Sequence, residues 1–405
     1  MECNFDEIIE RRNTNALNTD GFRDYIFHAG PEKVFPYKDE EFVRMWVADM
    51  EFAMPQVICE AIKQRVDKKI LGYSAVFDQG YHEAFAAWCK KMYDWDFPKD
   101  ELVFSTGVIP ALYELIEDIT TPMENVLIMT PSYGFFKHAV NYSQRNLVCS
   151  PLKNKDGHFS IDFDDFERKA ADPMTKLIIW CNPHNPSGRI WTQKELETVA
   201  AIIKKNNLWI ISDEIHCDLI RQGKQHIPMA KVMPDYQKLI TCMSASKTFN
   251  MAGLMFSNVI IRDAKIRELF ISRDKNVGFV NPLSVAAHQA AYESGSEWLE
   301  QLKTYLDGNF QFVKDFLAKM LPETSFEIPE ATYLAWVDMN PYLADVEDIP
   351  MFFANEAGVL LEGGDSLFVG NAKGYIRLNL AMPRAIIEEG MMRIANAVKK
   401  YHANK

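Results

Sequence analysis

Short uninterrupted apolar runs alternate with longer amphipathic stretches over the first two thirds of the chain. ELVFS (101–105), NVLIMT (125–130), NLVCS (146–150), KLIIWC (176–181), LWIISD (208–213), KLITCMS (238–244) and NVIIR (258–262) read as buried strands. Between several of them lie helical patterns such as TQKELETVAAIIKKNN (192–207), where Thr192 followed three residues on by Glu195 forms a helix-start signature. Repeated strand–helix–strand units with continuously apolar strands predict an α/β fold with a mostly parallel sheet between layers of helices.

The texture changes after residue 282. LSVAAHQAAYES and SEWLEQLKTYLDGNFQFVKDFLAKM read as long helices, SFEI, TYLAWVDM and YIRLNLA as strands, and a closing helix starts at Ala385. The expectation is a large domain over 45–285 and a smaller α+β one built from 1–44 and 286–405. A chain of 405 residues is long enough for two such cores.

Composition narrows the function. A net charge of −12 argues against nucleic acid as a partner, because phosphate binding needs clustered Lys and Arg. The apolar runs are far shorter than the roughly 20 residues needed to cross a bilayer. Seven dispersed cysteines with no CxxC pair suit a reducing compartment and offer no metal spacing. The start MECNFDEIIERR lacks an apolar leader, so a cytoplasmic location is expected.

Four segments carry chemistry, each just past a predicted strand. SASKTF (244–249) places Lys247 at a strand end, where α/β folds face their ligands. CNPHNPSG (181–188) makes a stiff turn that can hold an Asn as a donor. SDEIH (212–216) puts Asp213 at a strand mouth, and STGVIPAL (105–112) turns free backbone amides and a helix dipole toward an anion. Taken singly these are a loop lysine, a structural turn, a helix cap and an ordinary strand–helix junction. Together they supply an amine for a Schiff base, an acid for a pyridine nitrogen, a donor to a ring oxygen and a phosphate cradle. Those are the requirements of pyridoxal 5′-phosphate (PLP).

In order and spacing, NPHNPSG, SDEIH, SASKTF and YIRLNLA resemble the fold-type-I aminotransferase superfamily, with the aspartate-aminotransferase fold. WVADMEFAMP (46–55), LGYSAVFDQGY (71–81), DEIHCDL (213–219), SKTFNMAGL (246–254) and RLNLAMPR (377–384) are similar to its MalY/PatB branch of cystathionine β-lyases, or C–S lyases. The resemblance implies PLP bound by Lys247, paired with Asp213 at the ring nitrogen and with Asn185 at the ring oxygen, with His216 nearby. It further implies Tyr133 stacked on the ring, and the phosphate held by the Val108 and Ile109 amides with the Ser244 and Ser246 hydroxyls. Tyr73 would reach the phosphate of a neighbouring subunit, which implies a homodimer with shared sites, and Arg377 would grip the substrate carboxylate. Two positions depart from the pattern. Met255 stands where many aminotransferases have a phosphate-gripping Arg, and EGGDSLFVGNAKG (362–374) lacks the branch's Pro-Gly.

The activity implied is β-elimination from an S-substituted cysteine, with L-cystathionine as the expected substrate and Lys247 as both Schiff-base former and general base. An aminotransferase shares the early steps and is the first alternative. A PLP-carrying regulatory protein that acts through a protein partner is the second.

Overall fold

The computed structural model describes residues 3–277 and 280–404. Its main sheet has seven strands: β1 (Leu102–Ser105), β2 (Asn125–Thr130), β3 (Asn146–Pro151), β4 (Thr175–Cys181), β5 (Trp209–Asp213), β6 (Leu239–Met243) and β7 (Ser257–Ile261). They lie in the order β1-β7-β6-β5-β4-β2-β3, and only β7 runs antiparallel to its neighbours. Alternation along each strand explains why these runs are apolar throughout. Leu127, Ile178 and Ile210 pack into a core on one face, while the next residues, Ile128, Ile179 and Ile211, pack into a core on the other.

A three-stranded antiparallel sheet follows, β8 (Leu334–Asp338), β9 (Glu362–Gly363) and β10 (Tyr375–Asn379), in the order β8-β10-β9 with its own core. The helices that concern the site are α1 (Phe22–Phe27), α2 (Val108–Ile119), α3 (Gln193–Lys205), α4 (Ala245–Thr248), α5 (Pro282–Ser294), α6 (Ser296–Met320) and α7 (Arg384–Ala403). The signature at Thr192 is real: its hydroxyl accepts from Glu195 N–H while Glu195 accepts from the Thr192 N–H. SFEI is not a strand. It makes one isolated bridge, Ser325 to Asp338, and Pro329, which has no N–H to give, takes the chain away. No described helix is long and apolar enough to cross a membrane.

An extended segment over 46–52 lies between the two sheets and is held from both sides. Asn379 of β10 donates to the Val47 carbonyl at 2.8 Å and to that of Asp49. Asn250, just past α4, donates to the carbonyls of Met50 (2.9 Å) and Phe52 (2.8 Å) and accepts from Met50 N–H at 2.9 Å. Tyr333 donates to the Ala48 carbonyl at 2.8 Å.

Helix α4, which carries Lys247, is fixed by a buried acid. Asp218 accepts from Thr248 Oγ1 at 2.8 Å, from Trp88 Nε1 at 3.1 Å and from the Tyr93 hydroxyl. Asp218→Ala strands these buried donors, so it should lower stability by about 3 kcal/mol. Thermal unfolding of the purified variant checks this, and a midpoint equal to the parent's would mean that the network does not hold α4.

Candidate active site

In-register pairing puts Cys181 of β4 beside Asp213 of β5, and Asp213 beside Cys242 of β6. The three strands therefore stop at one height, and the loops bearing Asn185, His216 and Lys247 leave from a common edge. β1 runs parallel to β6 across the antiparallel β7, so its end at Ser105 feeds α2 from the same side.

Two adjoining cavities open along this edge. The inner one, about 260 Å³, is lined by Val108, Ile109, Asn185, Asp213, His216 and Lys247. The outer one, about 720 Å³, takes its polar walls from Arg11, Tyr25, Asp49, Glu362, Arg377 and Lys247. Tyr133, Lys247 and Arg377 belong to both.

Lys247 is at the junction, its Nζ donating to the Ala48 carbonyl at 2.7 Å. Burial lowers the amine to about 8 and Arg377 adds to the fall, whereas Asp49 and Asp213 oppose it. Such an amine loses its proton far more readily than an exposed lysine. Asp213 accepts from Ile215 N–H at 3.1 Å, and burial raises its carboxyl to about 7, a rise that Lys247 partly opposes. A cation placed against it would restore the ionised form. Burial takes His216 down to about 3, with Lys247 and Arg377 acting in the same direction, so the ring is neutral.

The loop after β4 settles which asparagine faces the site. Asn182 donates to the Ile227 carbonyl at 3.1 Å, away from it. Gly188 sits at φ +67°, where a Cβ would come within 2.2 Å of Pro329, so only glycine closes this turn. Asn185 is left on the cavity wall with its Oδ1 unpartnered. Other buried unpartnered atoms gather on the same walls: His216 Nδ1, and Nε and Nη1 of Arg377. Buried polar atoms are rarely left so, and these face two connected cavities where bound groups would complete them.

These walls fit PLP in every part. Lys247 offers the amine, Asp213 the acid for the ring nitrogen, Asn185 a donor for the ring oxygen, and the first turn of α2 an anion site. Pro110 has no N–H and Ala111 N–H is taken by Gly107, so Val108 and Ile109 supply the free amides there.

Other expected residues, Tyr133 apart, stand off these two walls. The Ser244 hydroxyl donates to the Phe256 carbonyl at 2.7 Å and accepts from Ser246 N–H at 3.1 Å, closing the turn before α4. Ser246 is buried, and neither serine lines a cavity. Tyr73 is 93% exposed and so is no part of its own chain's core. Tyr133 stacks on Phe135 at 5.1 Å on the wall shared by both cavities. Met255 is exposed, at φ +47°.

Several polar wall residues escaped the sequence reading. Arg11 pairs with Asp49 and with Glu51, each at 2.6 Å, and thereby ties the N-terminal segment over the outer cavity. Asp49 lies in WVADMEF, quoted above only as a family marker. Glu362 opens the stretch that departs from the family pattern. Arg11 and Tyr25 stand in a segment without periodicity and gave no signal.

Similarity to known proteins agrees with this geometry. The chain is 35% identical over 398 residues to cystathionine beta-lyase PatB of Bacillus subtilis (strain 168), spanning 98% of this chain and all of that one. It is 31% identical to protein MalY of Escherichia coli (strain K12), spanning 98% of each. The PLP-bound C-S lyase of Staphylococcus hominis superposes with a TM-score of 0.93 at 48% identity, spanning 98% of each chain. Residues 41–394 match the family described as aminotransferase class I and II, and the chain belongs to that family.

Proposed function

We propose that this protein is a PLP-dependent C–S β-lyase that cleaves L-cystathionine, or another S-substituted cysteine, to a thiol, pyruvate and ammonia. The observation that carries this is the amine of Lys247 at the junction of two cavities, with Asp213 on the wall of one and Arg377 on the walls of both. The names of the relatives, cystathionine beta-lyase and C-S lyase, support elimination over transamination.

Bound PLP supplies an electron sink for the pair left at the substrate's Cα. Asp213 keeps a proton on the ring nitrogen, where its own buried carboxylate gains a cation. Asn185 donates to the ring oxygen, and the Val108 and Ile109 amides hold the phosphate. Arg377 offers unpartnered guanidinium N–H groups, at Nε and Nη1, to the substrate carboxylate, and its rigid planar donors restrict how the amino acid sits. Lys247 Nζ would be placed to take the Cα proton, and its lowered proton affinity suits that work. The carbon–sulfur bond at Cβ would then break, the sulfur taking a proton from Lys247 to leave as the thiol, and one water would convert the remaining three-carbon amine to pyruvate and ammonia.

We further propose a homodimer. Ile70, Leu71, Tyr73 and Phe77 are all exposed within one short segment, as expected of a surface covered by a second copy that reaches the neighbouring site.

The PLP-loaded protein should convert L-cystathionine to thiol, pyruvate and ammonia in equal amounts. Lys247→Ala should lower that rate by more than about 10³-fold. Bound cofactor with a keto acid product and no ammonia would mean an aminotransferase instead.

Arg377→Lys keeps the charge but loses the planar set of donors. It should cost roughly 2–3 kcal/mol of binding, or about 10²-fold in kcat/KM, mainly through KM. Steady-state kinetics on the variant decide this, and an unchanged KM would remove Arg377 from substrate binding.

A further inference from the structure

The outer cavity holds a second ionisable group that the reaction above does not use. Glu362 of β9 is the direct cross-strand partner of Arg377 of β10, so both side chains stand side by side on one face of the sheet. Glu362 is 2% exposed and lines the same wall. Yet no ion pair or side-chain hydrogen bond joins the two among the described residues. Arg377 instead gives Nη2 to the Trp46 carbonyl at 3.1 Å and leaves Nε and Nη1 open.

A substrate carboxylate arriving at Arg377 therefore meets a second carboxyl at close quarters. Two carboxylates in one water-poor site cannot both ionise cheaply, and a shared proton is the usual resolution. We propose that Glu362 is a proton-linked second arm of the carboxylate site. Protonated, it donates a hydrogen bond to the carboxylate held by Arg377. Ionised, it competes with that carboxylate for the guanidinium. This rests on the reading of Arg377 as the carboxylate anchor.

The surroundings favour that behaviour. The charge acting on Glu362 is that of Arg377 from β10, while the Tyr25 hydroxyl of α1 and the Tyr133 hydroxyl face it as neutral groups. Lys247 of α4 lines the same cavity, Arg11 there is already matched by Asp49 and Glu51, and Asp365 in the next turn is exposed. Burial raises the Glu362 carboxyl to about 7, with Arg377 only partly opposing the rise. The sign follows. The donor is present below about pH 7, and affinity for carboxylates falls as pH rises through that value. Binding a carboxylate above it draws a proton onto the protein.

The test uses the holoenzyme and 3-(methylthio)propionate, a thioether carboxylate that lacks the amine and cannot react. Calorimetry at about pH 6.5 and 8.5, in buffers of different ionisation heat, gives affinity and proton uptake, and absorbance in the same samples counts protons taken by the cofactor. The parent should bind roughly tenfold or more weakly at the higher pH and take up protons beyond those on the cofactor. Glu362→Gln, neutral and still a donor, should lose both the excess uptake and that part of the pH dependence. Equal pH dependence and uptake in parent and Glu362→Gln overturn the proposal. If the variant does not fold, absence of excess uptake in the parent alone overturns it. Arg377→Ala separates the underlying reading: binding as tight as the parent's would remove the anchor itself, whereas binding lost at every pH keeps it.

Discussion

Residue-by-residue pairing of Cys181, Asp213 and Cys242 across β4, β5 and β6 makes three loops with different chemistry begin at one level of one sheet. In a parallel sheet buried on both faces, this register is fixed by packing. A slip of one residue would drive Ile178, Ile210 and their neighbours out of the core they fill and into the opposite one. The apolar cores therefore set the geometry of the site, although no core side chain takes part in the reaction. The same edge receives α2, so the anion site and the amine share one frame.

That frame must hold a lysine, two arginines, four acids and a histidine side by side. The structure manages this in two ways. Arg11 is matched to Asp49 and Glu51 in ion pairs and stays charged. Asp213, Glu362, His216 and Lys247 are unmatched, and burial pushes each toward its neutral form. Matched groups build the wall. In the proposed site the unmatched groups are those that cofactor and substrate would partner, because leaving a buried charge uncompensated is costly enough to shift its ionisation.

What the sequence made legible follows the same division. The seven strands and the cap at Thr192 announce themselves because their physics is local: apolar runs of strand length and a two-residue capping exchange. Lys247, Asp213, Asn185 and the α2 terminus were legible because each follows directly on such a strand. The segment 46–52 has neither apolar period nor turn signal, since its hydrogen bonds come from residues up to several hundred positions away, such as Asn379 and Tyr333. Arg11 and Glu362 enter by the same long-range route, one through a salt bridge and the other through a two-residue strand. The serines beside Lys247 show the converse. A hydroxyl next to the lysine suggests a cofactor contact, and the structure shows only that the Ser244 oxygen is engaged in closing its own turn.

The segment 46–52 also explains how the two sheets act as one site. Its Ala48 carbonyl accepts from Lys247, rooted in the large sheet, and from Tyr333, at the start of β8 in the small one. Arg377 and Asn379 bind the adjacent carbonyls. A cofactor that engages Lys247 Nζ and a substrate carboxylate that engages Arg377 would therefore act on the two sides of one ridge. Ligand contacts made from the two sheets would then be coupled through a few backbone carbonyls. The energy available to that coupling is bounded by the hydrogen bond exchanged, about 1–3 kcal/mol when the donor is charged.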